Sequence, residues 1–250
     1  MKPKISYTIW FSQRTGSTLL TRALEATGVA GKPGEWLNCG PDLCSEFHLA
    51  SLAEVQQHLW DLGTTGNGIF GIKHSFHEPH FSRLMTQMMQ FPGCPPGESN
   101  RPAIWENAFP HHRHIFMTRR NKVRLAVSWW RAIQSQEWHL LPGESHKELN
   151  LSNAYSFDAI NHLYNECSMR EAGIQEFFAE DGIVPLNICY EDFILRYQQT
   201  IRTVLQFLDL DDRSISLPEP LLEKTADDVS EEWVQRFRRE RQDRWPNQGW

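Results

Sequence analysis

The sequence predicts an α/β fold of three layers, with a central, mainly parallel sheet flanked by helices, and three observations predict it. Short β-branched and aromatic runs alternate with longer segments of helical periodicity, polar or glycine-bearing turns separate the two kinds, and no internal repeat interrupts the alternation. A chain of 250 residues, 40% of them hydrophobic, is long enough to bury one sizeable core, so a single domain spanning residues 1–250 is expected.

The first strand is read over Ile5 to Phe11. Polar residues Ser12 to Gly16 follow, then Leu19, Leu20, Ala23 and Leu24 at helical spacing within Ser17 to Thr27, closed by Gly28. Ser45 to Leu62 has helical character, and Gly63, Gly66, Asn67 and Gly68 turn the chain into a second strand, Ile69 to Lys73. Leu84 to Phe91 reads as helix and Pro92 to Pro102 as a loop. Arg113 to Thr118 is the third strand, followed by a helix from Asn121 to about Trp138. Polar residues Gly143 to Asn153 read as an exposed loop, Phe157 to Glu180 as a helix and Ile183 to Tyr190 as the fourth strand. Glu191 and Asp192 open a helix to about Leu210, their charges suiting its positive end, and Ser230 to Trp245 forms a charged last helix. Ligands of such sheets bind beyond the carboxyl ends of the strands, where the polar segments described next fall.

A net charge of −6 gives no long-range attraction for nucleic acid or an anionic membrane, so any anion site must be local. No run of about 18 apolar residues exists, so no transmembrane segment is expected. Met1-Lys2-Pro3-Lys4 leads into only seven strand-like residues, too few for a signal peptide, and a cytoplasmic location is expected. Five cysteines, an odd number spread from Cys39 to Cys189, do not make a disulfide framework and are read as reduced thiols. Cys39, Cys44 and His48 lack a fourth partner or a recognised zinc spacing, so no metal is expected.

The segment Ser12-Gln13-Arg14-Thr15-Gly16-Ser17-Thr18 stands where a strand ends and a helix begins, so several backbone N–H groups can converge on one anion in a P-loop-like arrangement. Gly16 permits the tight turn, Ser17 and Thr18 supply hydroxyls, and Arg14 supplies a permanent planar cation matched to phosphate oxygens. The pattern G-x-x-x-x-G-K-[ST] of ATP-binding loops is missing, which disfavours kinase or ATPase chemistry.

With Arg14-Thr15-Gly16-Ser17-Thr18 in that position, the sequence resembles the sulfotransferase superfamily. Phe11 to Leu20, together with Ala26-Thr27-Gly28-Val29-Ala30-Gly31-Lys32-Pro33-Gly34-Glu35-Trp36, looks specifically like the bacterial trehalose 2-sulfotransferases. Arg120 with Ser128 eight residues later has the superfamily's spacing for the 3′-phosphate contact, and Tyr190-Glu191-Asp192 resembles the segment whose tyrosine lies near the adenine. The resemblance implies 3′-phosphoadenosine 5′-phosphosulfate (PAPS) as co-substrate, held by Gln13, Arg14, Thr15, Gly16, Ser17, Thr18, Arg120, Ser128 and Tyr190. It implies a saccharide, glycoside or glycolipid acceptor, no metal requirement and a homodimer.

Sulfuryl transfer needs alignment and charge stabilisation more than a covalent intermediate, and Arg14 suits the negative charge that grows on the leaving phosphate. The attacking hydroxyl must lose a proton. Glu35 matches the glutamate assigned as general base in the trehalose 2-sulfotransferases; the rival is His74. Gly71-Ile72-Lys73-His74 resembles the lysine and histidine of cytosolic sulfotransferases, except that those two are one residue apart there and adjacent here, on alternating sides of a strand. Trp36 is suited to stacking on a sugar face, and Lys73 to contacting acceptor or donor. Lys224 and Arg236 to Arg241 read as a charged helical face outside the site. Two other readings remain open: a nucleotide-dependent phosphoryl transferase, and a catalytically silent nucleotide- or glycan-binding protein.

Overall fold

The structure, a computed structural model, describes residues 1–38, 40–139, 151, 153–211, 213, 215–220 and 227–243. Among the described residues four strands make one sheet: β1 (Ile5–Phe11), β2 (Ile69–Ser75), β3 (His112–Thr118) and β4 (Leu186–Cys189), in the order β2-β1-β3-β4. The three strand–strand pairings are parallel, with Ile9 opposite Lys73 and Ile115, and Trp10 opposite His74 and Phe116. All four strands therefore end at one edge, which is where the anion loop and the candidate base come together.

Strand alternation sorts the core into two layers. Tyr7, Ile9 and Phe11 of β1, with Ile115 and Met117 of β3, pack against α1 (Ser17–Ala26) and α9 (Tyr197–Phe207). On the other face Trp10, Phe70, Ile72 and Phe116 pack under α3 (Leu52–Gly63), α4 (His80–Met88), α5 (Arg101–Ala108) and the C-terminal half of α7 (Phe157–Ala179). A third cluster joins α6 (Lys122–Ser135), the N-terminal half of α7 and α10 (Asp228–Asp243) through Leu125, Trp129, Ile160, Trp233 and Phe237. Among the described residues no helix is long and apolar enough to cross a membrane.

Several boundaries differ from the sequence reading. The helix expected from Ser45 to Leu62 is two, α2 (Leu43–Phe47) and α3, parted at His48, which takes the left-handed conformation (φ 54°). The helix expected over Leu84 to Phe91 begins at His80 and ends at Met88. Within what reads as a loop to Pro102, α5 starts at Arg101: Asn100 caps Ala103 N–H, and Pro102 sits in the first turn, where its missing N–H is not needed. β4 starts at Leu186, not Ile183, because Pro185 cannot donate to a ladder, and it ends before Tyr190, which opens α8 (Tyr190–Leu195). The helix read on to Leu210 breaks at Arg196 before α9. Most of the Gly143 to Asn153 loop, and Lys224, lie outside the described residues.

Candidate active site

The turn from β1 into α1 is built for an anion. Arg14 and Gly16 take positive φ (63° and 83°), and Thr15, fully buried, donates its hydroxyl to the Ser12 carbonyl at 2.8 Å to close the turn. Gly16 is required on two counts: a left-handed backbone, and a neighbour that leaves no room, since a Cβ there would stand 2.6 Å from Tyr190 Cδ2. Ser17 and Thr18 then open α1 with their N–H groups unused by side-chain caps.

In front of this turn lies a cavity of about 630 Å³, within the size range of small-ligand sites. Arg14, Gly16, Ser17 and Thr18 line one end; Arg119, Arg124, Ser128 and Arg131 line the wall formed by the β3–α6 turn and α6; and Tyr190, Trp138 and His139 close it. Arg14 reaches across, its Nε donating to Ser128 Oγ at 3.0 Å and its Nη1 to the Trp138 carbonyl. The loop and Ser128 thus border one continuous space. Burial, then the neighbouring Arg119 and Arg131 guanidiniums, lower the Arg14 pKa to about 10, so it remains a cation at neutral pH. Arg124, Ser128 and Arg131 share one face of α6 at helical spacing. Arg124 and Arg131 pair with Glu231 and Asp227 of the C-terminal segment, at 2.6 and 2.8 Å.

Arg120 is not among the residues around this cavity. Its guanidinium meets Asp192, and its side chain is 60% exposed. Arg119 lines the cavity: it lies over the Tyr190 ring, 4.6 Å from the centroid, and donates to the Arg14 carbonyl at 3.2 Å. Successive side chains leaving a strand point to opposite sides, so only one of the two arginines can face inward. Tyr190 packs on Gly16 and under Arg119.

At the other end of the loop, Lys73 joins it to the candidate base. Lys73 Nζ donates to Thr18 Oγ1 at 3.0 Å and pairs with Glu35 Oε1 at 2.9 Å; the Lys73 side chain is 9% exposed and that of Glu35 39%. Glu35 is placed by a short parallel bridge in which Lys73 N–H donates to the Gly34 carbonyl at 2.9 Å, and Asn38 donates to Glu35 Oε2 at 3.2 Å. Trp36 is anchored by its indole N–H, which donates to the Lys32 and Gly71 carbonyls at 3.1 and 3.2 Å. Its ring stands against Gly34.

His74 does not join this group. One residue on from Lys73, it turns to the opposite face of the sheet and lies among Trp10, Phe81, Trp105 and His80, 3% exposed. Burial, with His80 and His77 nearby, holds its pKa down to about 3, and the neutral ring is walled off from the cavity. The structure therefore sets His74, the rival base in the sequence reading, apart from Glu35, Lys73 and the cavity. Gln13 also turns away from the cavity, its amide oxygen accepting from Arg170 Nη1 at 2.8 Å and its amide nitrogen donating to Ser75 Oγ at 3.2 Å.

The sequence reading missed the carboxylate beneath the site. Glu171 of α7 accepts from Ser12 Oγ at 3.2 Å, Thr118 Oγ1 at 3.1 Å and Lys122 Nζ at 2.6 Å, tying the start of the anion loop to the end of β3 and the start of α6. No motif marks it, because its partners come from three separate segments. His139, also missed, has its pKa lowered to about 4 by desolvation, then by Arg14, Lys73 and Arg22. Among the described residues no group of three or more His, Cys, Asp or Glu is placed to hold a metal ion; Cys39 lies outside them.

The sequence model of the Stf0 sulphotransferase family matches residues 6–240. Trehalose 2-sulfotransferase of Mycolicibacterium smegmatis is 28% identical over 263 residues, covering 95% of this chain and 96% of that protein. Trehalose 2-sulfotransferase of Mycobacterium tuberculosis is 29% identical over 260 residues, covering 94% of each. A sulfotransferase from Alicyclobacillus acidocaldarius shares the fold, with a TM-score of 0.51 at 15% identity over 96% of this chain and 93% of that one.

Proposed function

Because the chain belongs to the Stf0 sulphotransferase family, we propose that it transfers a sulfuryl group from PAPS to a hydroxyl of a sugar-type acceptor, by in-line displacement with Glu35 as general base. The observation that carries this reading is the connection Glu35–Lys73–Thr18: a half-exposed carboxylate and an anion loop share one buried cation, so a proton acceptor stands beside the place where a leaving phosphate would be held. The chemistry balances simply. The acceptor oxygen forms a bond to sulfur, the bond from sulfur to the 5′-phosphate oxygen breaks, Glu35 takes the hydroxyl proton, and the electron pair leaves on the phosphate.

Arg14, Ser17, Thr18 and the first amides of α1 then meet an oxygen more negative than it was in the ground state, and this differential contact lowers the barrier. Lys73 is placed to offset charge between the phosphate and Glu35, and Ser128 extends the cavity toward the rest of the nucleotide. Trp36, beside Glu35 in sequence, supplies an aromatic surface for a sugar ring. The trehalose 2-sulfotransferases among its relatives support a saccharide, glycoside or glycolipid acceptor. We also propose that residues 1–250 act as one sulfotransferase domain, without a catalytic metal and as a homodimer in the cytoplasm.

Calorimetry with 3′-phosphoadenosine 5′-phosphate (PAP), the nucleotide product, in metal-free buffer tests the class, and a panel of sugars with labelled sulfate donor tests the acceptor. Micromolar or tighter binding without Mg²⁺ and sulfate appearing on a sugar is expected. Binding that requires Mg²⁺, with phosphate rather than sulfate transferred, would overturn the reading in favour of a phosphoryl transferase.

A further inference from the structure

Two consecutive residues of α7 hold two consecutive residues of the anion loop. Glu171 accepts from the Ser12 hydroxyl, and Arg170 takes Gln13: its Nη1 donates to Gln13 Oε1 at 2.8 Å and to Ser75 Oγ at 3.1 Å. Gln13 in turn donates from Nε2 to Ser75 Oγ at 3.2 Å. An arginine has only donors, so Gln13 must present its amide oxygen to it, and the amide nitrogen is left for the serine. The other two Arg170 nitrogens, Nε and Nη2, both meet Glu166 Oε1, at 2.8 and 2.7 Å, and the guanidinium lies over the Trp129 ring, 5.2 Å from its centroid. The Arg170 side chain is 15% exposed.

These contacts do more than neutralise a charge. Glu166, one turn away on the same helix, already matches the cation, and such a pair needs nothing from the loop. Nη1 is aimed instead at the two segments that build the site. Gln13 precedes Arg14, whose φ of 63° is unfavourable for an L-residue and must be held by its surroundings. Ser75 ends β2 two residues after Lys73, the cation that bridges Thr18 and Glu35. Arg170 therefore fastens the loop to the strand end from outside the cavity, while Lys73 joins them within it.

We propose that Arg170 is a positioning residue for the transfer: by clamping Gln13 against Ser75 it fixes the separation between the anion loop and the strand end that carries Lys73, and with it the distance from the leaving phosphate to Glu35. This rests on the reading of the loop as the phosphate site and of Glu35 as the base. Arg170 itself touches neither substrate. In-line transfer requires the attacking oxygen, the sulfur and the leaving oxygen to stay aligned, and a misplacement of about 1 Å lowers a rate by up to about 100-fold. A loosened clamp slows the chemical step more than it weakens nucleotide binding, because Arg14, Ser17, Thr18 and the first amides of α1 still meet the phosphate.

The experiment measures sulfate transfer and PAP affinity on the full chain and its variants, well below the melting temperature of each. Arg170→Met keeps an unbranched apolar chain and removes the donors; turnover is expected to fall about 10- to 100-fold with PAP affinity within about threefold of wild type. Gln13→Ala is expected to give a loss of similar size. The double variant should be no more than about twofold slower than the slower single one, because the two residues act as one clamp. If thermal melting shows that Arg170→Met does not fold, Arg170→Lys takes its place in the same comparison. It keeps the charge beside Glu166 without the planar fork, and a turnover loss of about 3- to 10-fold is expected. Turnover less than about threefold below wild type in the Arg170 variant used, even with a lowered melting temperature, overturns the proposal, since Arg170 would then only brace the fold. Equal falls in turnover and PAP affinity overturn it as well, and so do losses that multiply in the double variant. A wild-type protein that moves no sulfate from PAPS to any sugar of the panel removes the sulfotransferase reading itself, a different result from any of these.

Discussion

Replacing Gly16 by alanine isolates the contact on which the anion loop is folded. Its φ of 83° lies in the left-handed region, which costs an L-residue about 1–2 kcal/mol. The added Cβ would also stand 2.6 Å from Tyr190 Cδ2 and 3.1 Å from Cε2, so the ring must move, at an overpacking cost of about 1–3 kcal/mol. Gly16→Ala should therefore lose roughly 2–5 kcal/mol of unfolding free energy. The two parts separate in a double-mutant cycle with Tyr190→Ala, measured by urea denaturation. In the Tyr190→Ala background only the backbone part remains, so the Gly16→Ala cost should shrink by about 1–3 kcal/mol. A cost below about 0.5 kcal/mol in the wild-type background, the size of an ordinary surface change, would refute the packing of Tyr190 on the loop. So would strict additivity between the two sites.

Glu171→Gln leaves Lys122 half-buried without its carboxylate and should cost about 2–4 kcal/mol in the same denaturation assay; because Glu171 spaces the anion loop from α6, PAP affinity should fall with it, and unchanged affinity would show the spacing is set elsewhere. Lys73→Met, which fills the buried volume without charge, should lower turnover about 10²-fold while the fold survives, read from steady-state rates alongside melting; a rate within threefold of wild type would remove Lys73 from the chemistry. His74, His112 and His114 are held neutral by burial, with folded-state pKa values of about 3 for His74, well below the ordinary value for His112 and about 4 for His114. The unfolded chain therefore takes up protons first. The stability these histidines contribute is complete above pH ~6.5 and is lost on acidification at about 1.4 kcal/mol per pH unit for each ring; urea midpoints from pH 8 to 5 should show a plateau and then a steep fall, and a flat profile contradicts it.

Much of this was legible because local physics and the fold agree. β1, the polar turn and α1 carry their signals in consecutive residues, and Ile5–Phe11 and Ser17–Ala26 formed almost as read. α5 was hidden because Pro102 and its neighbours have loop composition, although a proline in a first turn is harmless. The breaks at His48 and Arg196 carry neither glycine nor proline, so tertiary packing alone places them. At the site, spacing along the chain fixed the pair of arginines but not which one faces inward. That depends on the phase with which β3 ends. The same alternation separates Lys73, which enters the site, from His74, which enters the core. Glu171 was invisible for a different reason: its role exists only where three segments meet.

The most direct test of the account is Glu35→Gln, with PAP affinity and sulfate transfer measured on the same preparation. PAP binding should stay within about threefold of wild type while turnover falls at least ~100-fold, the low end for loss of a general base. Full turnover by Glu35→Gln would show that the proton goes elsewhere and that the carboxylate beside Lys73 is not the base.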